Sequence, residues 1–235
     1  MKTLTKLSMN TVSWTVIWAS LATLALYLVP FLSPLSYPFM LLSTLVHEMG
    51  HGFSAMLLGG HFESFKMWSD GSGVASISGS FGAFSKALVS AAGLLGPALV
   101  SAVFFWGTSK ESRARFLLAS FAIILVLSIM LVVRNLFGIF FVAVIAAGCF
   151  YFSLGAGKKY CQAVLAFLAA ELALSVFSRS DYLFTKYAQT SAGLMPSDVE
   201  QIAQNLFLPY WFWGAVCGIL SVAVLILGFR QSLKA

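Results

Sequence analysis

The sequence predicts an all-α integral membrane protein of six to seven transmembrane helices, with a small β-hairpin or re-entrant strand region after the motif-bearing helix. Three observations carry this. The chain is 60% hydrophobic and only 9% charged, where a soluble domain is about 25% charged. Spanning a bilayer as a helix takes about 20 apolar residues, and seven segments qualify: 11–32, 38–58, 84–106, 116–133, 136–155, 160–178 and 207–229. A single Gly- and Ser-rich stretch, residues 59–83, interrupts this series early in the chain.

Each element has its own justification. Segment 11–32 follows Lys2 and Lys6 as a signal peptide would. Its apolar run is too long for a cleaved signal and no A-x-A-like site follows, so it reads as an anchoring helix. Residues 59–83 place Asp70-Gly71, a turn dipeptide, between two short extended runs, which predicts the hairpin. Residues 179–206 form the longest polar stretch. Within it, "MPSDVEQIAQNL" reads as a helix start, with Ser197 or Asp198 as cap and Glu200 in the first turn. Tyr37, Trp106, Tyr210 and Trp211 lie near segment ends, where aromatic residues anchor at the bilayer interface. No internal repeat is visible, and one membrane domain covers residues 1–235: motif helix 38–58, strand region 59–83, later helices 84–178, polar loop 179–206 and C-terminal helix 207–229.

Charge excludes some functions. The net charge is +6, but the fourteen basic residues are scattered between apolar runs, as in bilayer-surface loops rather than a nucleic-acid face. With seven spans they divide equally between the two sides, so the positive-inside rule gives no orientation. The three cysteines lack C-x-x-C spacing, and neither a disulfide framework nor a cysteine zinc site is expected.

Against this apolar background stands "LVHEMGHG", residues 45–52, with two of the three histidines in the chain. His47, Glu48 and His51 form H-E-x-x-H. On a helix, residues four apart share one face, so both imidazoles can reach one ion. Glu48 lies about 100° round from His47, within reach of a water on that ion. Neutral imidazoles suit Zn²⁺, which lowers the pKa of a bound water towards 7, and a neighbouring carboxylate can take up its proton. Ionisable groups inside a bilayer are costly and persist where they have work to do.

A catalytic zinc site wants a third protein ligand. His61, Glu63 and Asp70 lie on the Gly-rich hairpin, and Glu111 falls on the opposite side of the membrane. Glu171, Asp181 and Asp198 belong to the sixth span or the loop after it, on the correct side. Glu171 lies deepest. Asp181 shares its helix if that helix continues through "SDYLFTKYA". Asp198 follows a proline and has the look of a capping residue.

"HEMGHGFSAMLLGG", a Gly-rich strand region and "AAGLLGPALVSAVFF" together resemble the site-2-protease family of membrane-embedded zinc metalloproteases. In that family a helix bearing H-E-x-x-H is followed by one with an A-G-P-like motif, here Ala92-Gly93 and Gly96-Pro97. The compact bacterial peptidase-like branch is most similar. It shares the "DGSG" from Asp70 to Gly73, the pair Arg134-Asn135, and an S-D…P…W-G pattern at Ser197-Asp198, Pro209 and Trp213-Gly214. The resemblance implies an aspartate from a later membrane helix as third zinc ligand, commonly within L-D-G, which this chain lacks. Asp181 is then the first choice and Asp198 the second. The resemblance also implies an asparagine that holds substrate or oxyanion, for which Asn135 is the candidate. It implies a site near the cytoplasmic face, a cytoplasmic N-terminus and a bacterial inner membrane.

The function expected is hydrolysis of membrane-protein or peptide substrates in or near the bilayer, with Zn²⁺ on His47, His51 and Asp181 and with Glu48 as general base. Two other classes remain. One is an inactive metal-binding relative serving as a membrane scaffold or chaperone; the other is a proton or metal transporter. Outside the motif helix the spans carry few polar residues to line a pore.

Overall fold

A computed structural model describes residues 33–155, 158–178 and 180–233, together with Trp14, Ile17, Trp18, Ser20, Leu21 and Ala25. Most of segment 11–32 therefore lies outside the described residues.

Helix α1, Ser33–Leu57, carries the motif. Pro34 falls in its first turn, where amides lack intrahelical partners, and Pro38 lies inside the helix. Leu41, Leu42, Leu45, Val46 and Met49 bury one face in the main core, at the three- and four-residue spacing of one helical stripe. A tight turn at Gly59 leads into β1, His61–Met67, which pairs antiparallel with β2, Gly73–Ser78. The turn predicted at Asp70-Gly71 joins them. The outer edge of β1 is covered: Phe65 N–H donates to Val132 O at 2.7 Å, and Arg134 N–H donates to Phe65 O at 2.9 Å. This leaves β2 as the open edge, on the side of α1.

Helix α2, Ala83–Gly107, is the hub and packs against α1 and against the later helices Lys158–Ser178, Asp198–Leu206 and Tyr210–Leu233. Helices α3, Glu111–Leu131, and α4, Leu136–Phe150, pack on each other, and α4 loosens into a π-turn over Tyr151–Gly155. Helix α5, Lys158–Ser178, gives way to a 3-10 turn, Ser180–Phe184. The polar stretch that follows holds a second hairpin, β3 Tyr187–Thr190 and β4 Gly193–Pro196, which the sequence reading did not anticipate. Helix α6, Asp198–Leu206, begins where the cap residues predict: Ser197 Oγ accepts the Glu200 N–H at 3.3 Å. Its apolar face, Val199 and Ile202, is buried with Ala87 and Leu94 of α2 and Cys217 of α7, Tyr210–Leu233. The three cysteines are free and buried, as their spacing suggests.

Five helices among the described residues are long and apolar enough to cross a membrane, fewer than the six to seven expected. The motif helix is not among them, because its Ser, Pro and titratable residues dilute its apolar character. The architecture is nonetheless that of a multi-pass membrane protein with two small antiparallel sheets.

Candidate metal centre

The two histidines meet as their spacing demands. His47 and His51 lie one turn apart on α1, with their Nε2 atoms 3.1 Å from each other. What aims His51 is a main-chain group on α2: its Nδ1 lies 2.9 Å from Val89 O. That carbonyl accepts the Nδ1 proton and leaves Nε2 as a free lone pair, the tautomer a metal requires. The approach of α1 to α2 is close enough to need glycine at the contact. A Cβ on Gly93 would stand 2.2 Å from the His51 ring, and one on Gly50 would stand 2.5 Å from Ala92 O. The stretched A-G…G-P motif thus makes room for the site.

Among the described residues, the carboxylate that joins the histidines is that of Asp198, the second candidate from sequence. Asp198 Oδ2 stands 2.9 Å from His47 Nε2, and Oδ1 stands 3.3 Å from His51 Nε2. The cap of α6 is Ser197, so the Asp198 carboxylate is not consumed in capping. Asp198 is only 4% exposed, and a buried carboxylate requires partners or a cation. Three lone-pair donors, two imidazole and one carboxylate, converge on one point and could hold a metal ion. The Asp181 side chain lies outside the described residues; its backbone forms part of the 3-10 turn after α5. Glu171 is fully buried on α5 and is not part of the cluster.

Glu48 flanks these donors and is fixed by strand β2. Its Oε2 accepts the Ala75 N–H at 2.7 Å. Gly73 permits the approach, since a Cβ there would lie 2.9 Å from Glu48 Cγ and 2.7 Å from Thr44 Cγ2. One turn earlier on α1, Thr44 Oγ1 donates to Gly71 O at 2.7 Å. The same helix face therefore sets the register of the hairpin and the orientation of Glu48.

One side chain at the site escaped sequence reasoning. Tyr182 donates its hydroxyl to Asp198 Oδ2 at 3.3 Å and packs edge-on to His47. Its neighbour Leu183 abuts α7 where a Cβ on Gly214 would clash, so the W-G pair was the available signal. Asn135 takes a different position from the one its candidacy suggested. Its Nδ2 donates to Met67 O at 2.6 Å and its Oδ1 accepts Met67 N–H at 3.3 Å. Both ends of the amide are engaged at the end of β1, on the edge facing away from β2.

A multi-pass helical bundle with a His-x-x-x-His helix, a converging aspartate and an adjacent glutamate defines the class of membrane metallopeptidases. A family model described as Peptidase M50B-like matches residues 7–228. The chain belongs to this family, the site-2-protease family. Neither a curated protein nor a solved structure matches it.

Proposed function

We propose that the protein is a zinc endopeptidase that hydrolyses peptide bonds within or beside the membrane, with His47, His51 and Asp198 as ligands and Glu48 as general base. The observation that carries this is the convergence of both imidazoles and the Asp198 carboxylate within ligand spacing. Tetrahedral ligands at the usual zinc distances of about 2.0–2.2 Å stand about 3.3 Å from one another. The two Nε2 atoms here are 3.1 Å apart, and each faces one oxygen of the Asp198 carboxylate, His47 at 2.9 Å from Oδ2 and His51 at 3.3 Å from Oδ1. Zinc so held would polarise a carbonyl and bring a water's ionisation towards neutral pH.

The chain's own groups supply the rest. With Oε2 held by Ala75, the other oxygen of Glu48 is oriented to take a water proton. Glu48 then delivers that proton to the amine nitrogen as the C–N bond breaks. Tyr182 keeps Asp198 in place through its hydroxyl. A transmembrane helix hides its peptide groups in its own hydrogen bonds, so a substrate has to be unwound. The edge of β2, free apart from the Ala75 N–H held by Glu48, suits a segment that arrives extended and pairs by β-augmentation. The substrates are accordingly membrane proteins or peptides, and the family resemblance favours a bacterial inner membrane with the site towards the cytoplasm.

The scaffold and transporter alternatives gain no specific support from this site. The test is Glu48→Gln in purified protein. Cleavage of a membrane-peptide reporter is expected to vanish while one zinc per chain remains. A wild-type protein without stoichiometric zinc overturns the proposal.

A further inference from the structure

Among the described residues, the hydrogen bonds that tie the second hairpin to the rest of the chain lie at its ends. Strands β3 and β4 pair with each other and touch the helices little. At the base, Ser197 N–H donates to Lys186 O at 3.0 Å and Ser197 Oγ donates to Thr185 O at 2.5 Å. At the tip, Ser191 Oγ donates to Asp70 Oδ2 at 2.7 Å and Ser191 N–H donates to Ser72 Oγ at 3.2 Å. Asp70 Oδ1 accepts both the N–H and the hydroxyl of Ser72, at 2.9 and 2.7 Å, which holds the acceptors still.

The first hairpin's tip, by contrast, is tied to α1. Tyr37 donates to Ser69 O at 2.6 Å and Thr44 to Gly71 O at 2.7 Å. One tip is thus fixed, and the other hangs from it by exposed hydrogen bonds that compete with water. Segments with few packed contacts are those that open locally.

Beneath the joined tips lie two cavities of about 270 and 180 Å³. His47, Glu48, Gly73, Tyr182, Ala188 and Thr190 line both, so the cavities meet at the metal centre. Gly73 and Ala75 on the β2 side, and Ala188 and Thr190 on the β3 side, are small enough to leave room for a main chain. Strands β2 and β3 each pair with one strand only, β1 and β4. The larger cavity is also lined by Ser43 and Ser221 beside Leu94, Pro97, Val176 and Leu183, a mixed lining that suits a polypeptide's backbone and side chains together.

We infer that β3–β4 is a flap forming the second wall of a peptide cleft, latched at its tip by Asp70 and Ser72 to Ser191, and that it opens to admit an extended polypeptide strand between β2 and β3. This rests on the peptidase reading for its substrate class. The flap's base adjoins Asp198, so closure and the completed ligand set belong to one segment.

The test joins Asp70→Cys to Ser191→Cys with a short bis-maleimide; the native cysteines are buried. Cross-linked and free forms of this variant are compared in detergent for cleavage and binding of fluorescein-labelled casein, an unstructured polypeptide, and for metal content. Cross-linking is expected to lower both casein readouts by about tenfold or more at unchanged metal content, as for a lid that controls access. Ser191→Ala alone is expected to speed casein association. Equal binding by the two forms, or binding by neither, overturns the inference. Binding lost on cross-linking with no cleavage by either form sustains the flap and sinks the peptidase reading instead.

Discussion

Replacing Gly93 by alanine puts one methyl group against the ring of His51. In an exposed helix the same change would stabilise the chain by about 0.8–1 kcal/mol, so helix propensity favours the variant. The new Cβ, however, would stand 2.2 Å from Cε1 and Nε2 of His51, and ordinary contact begins at 3.4 Å. The imidazole must retreat by about 1.2 Å or the helices must part. A ligand bond to zinc is only about 2.1 Å long, so a shift of that size removes His51 from the ion. Changes to groups that merely orient ligands cost about 10- to 100-fold in metal affinity; displacing a ligand is expected to reach at least the upper end. Competition against a chromophoric chelator in detergent reads the affinity, and circular dichroism checks that the helices persist. Gly148→Ala is the control, because a Cβ there meets nothing within 4 Å. Wild-type zinc affinity in Gly93→Ala would refute the placement of His51 against α2.

Three further outcomes follow from the same geometry. Asp198→Asn is expected to lose zinc and cleavage together while Asp181→Asn keeps both, as measured by metal content and reporter cleavage; the reverse result would return the ligand role to Asp181. Asn135→Ala removes two hydrogen bonds to Met67 and is expected to cost about 1–2 kcal/mol of stability with the KM for substrate unchanged; a raised KM at unchanged thermal stability would favour a substrate role. The Asp70 carboxyl is held below its usual range by hydrogen bonds from Ser191 and Ser72. A depressed folded value means the latch contributes fully above about pH 4 and weakens as pH falls through that lower value. Hydrogen exchange at Ser191 and Ala192 should therefore accelerate, relative to the intrinsic rate, as the pH is lowered through that depressed value, and an unchanged protection factor down to acid denaturation would count against the latch.

Much of the site was legible because its chemistry lies in side chains at helical spacing. His47, Glu48 and His51 need only a helix to share an ion, and a helix is what 25 residues from Ser33 to Leu57 form. The third ligand was ambiguous for a local reason. Asp198 sits beside Ser197, either can cap a helix, and only packing decides which carboxylate or hydroxyl turns inward. The Val89 carbonyl and the Ala75 amide were invisible, since every residue has such groups and only tertiary approach selects one. The second hairpin escaped notice because its strands are four residues long and its turn, Ser191-Ala192, lacks the Asn-Gly or Asp-Gly signature. Segment 59–83 carried that signature and was read correctly as a hairpin.

The distance along the chain between the histidines and Asp198 also fixes when the site can come into being. His47 and His51 are made early in synthesis, with the motif helix, whereas Asp198 emerges about 150 residues later, on a short helix whose Val199 and Ile202 pack against α2 and α7. For that interval the nascent chain holds two of its three donors and no pocket around them. The metal centre proposed above is thus completed late in synthesis, and a ribosome-bound chain stalled before residue 198 lacks its carboxylate.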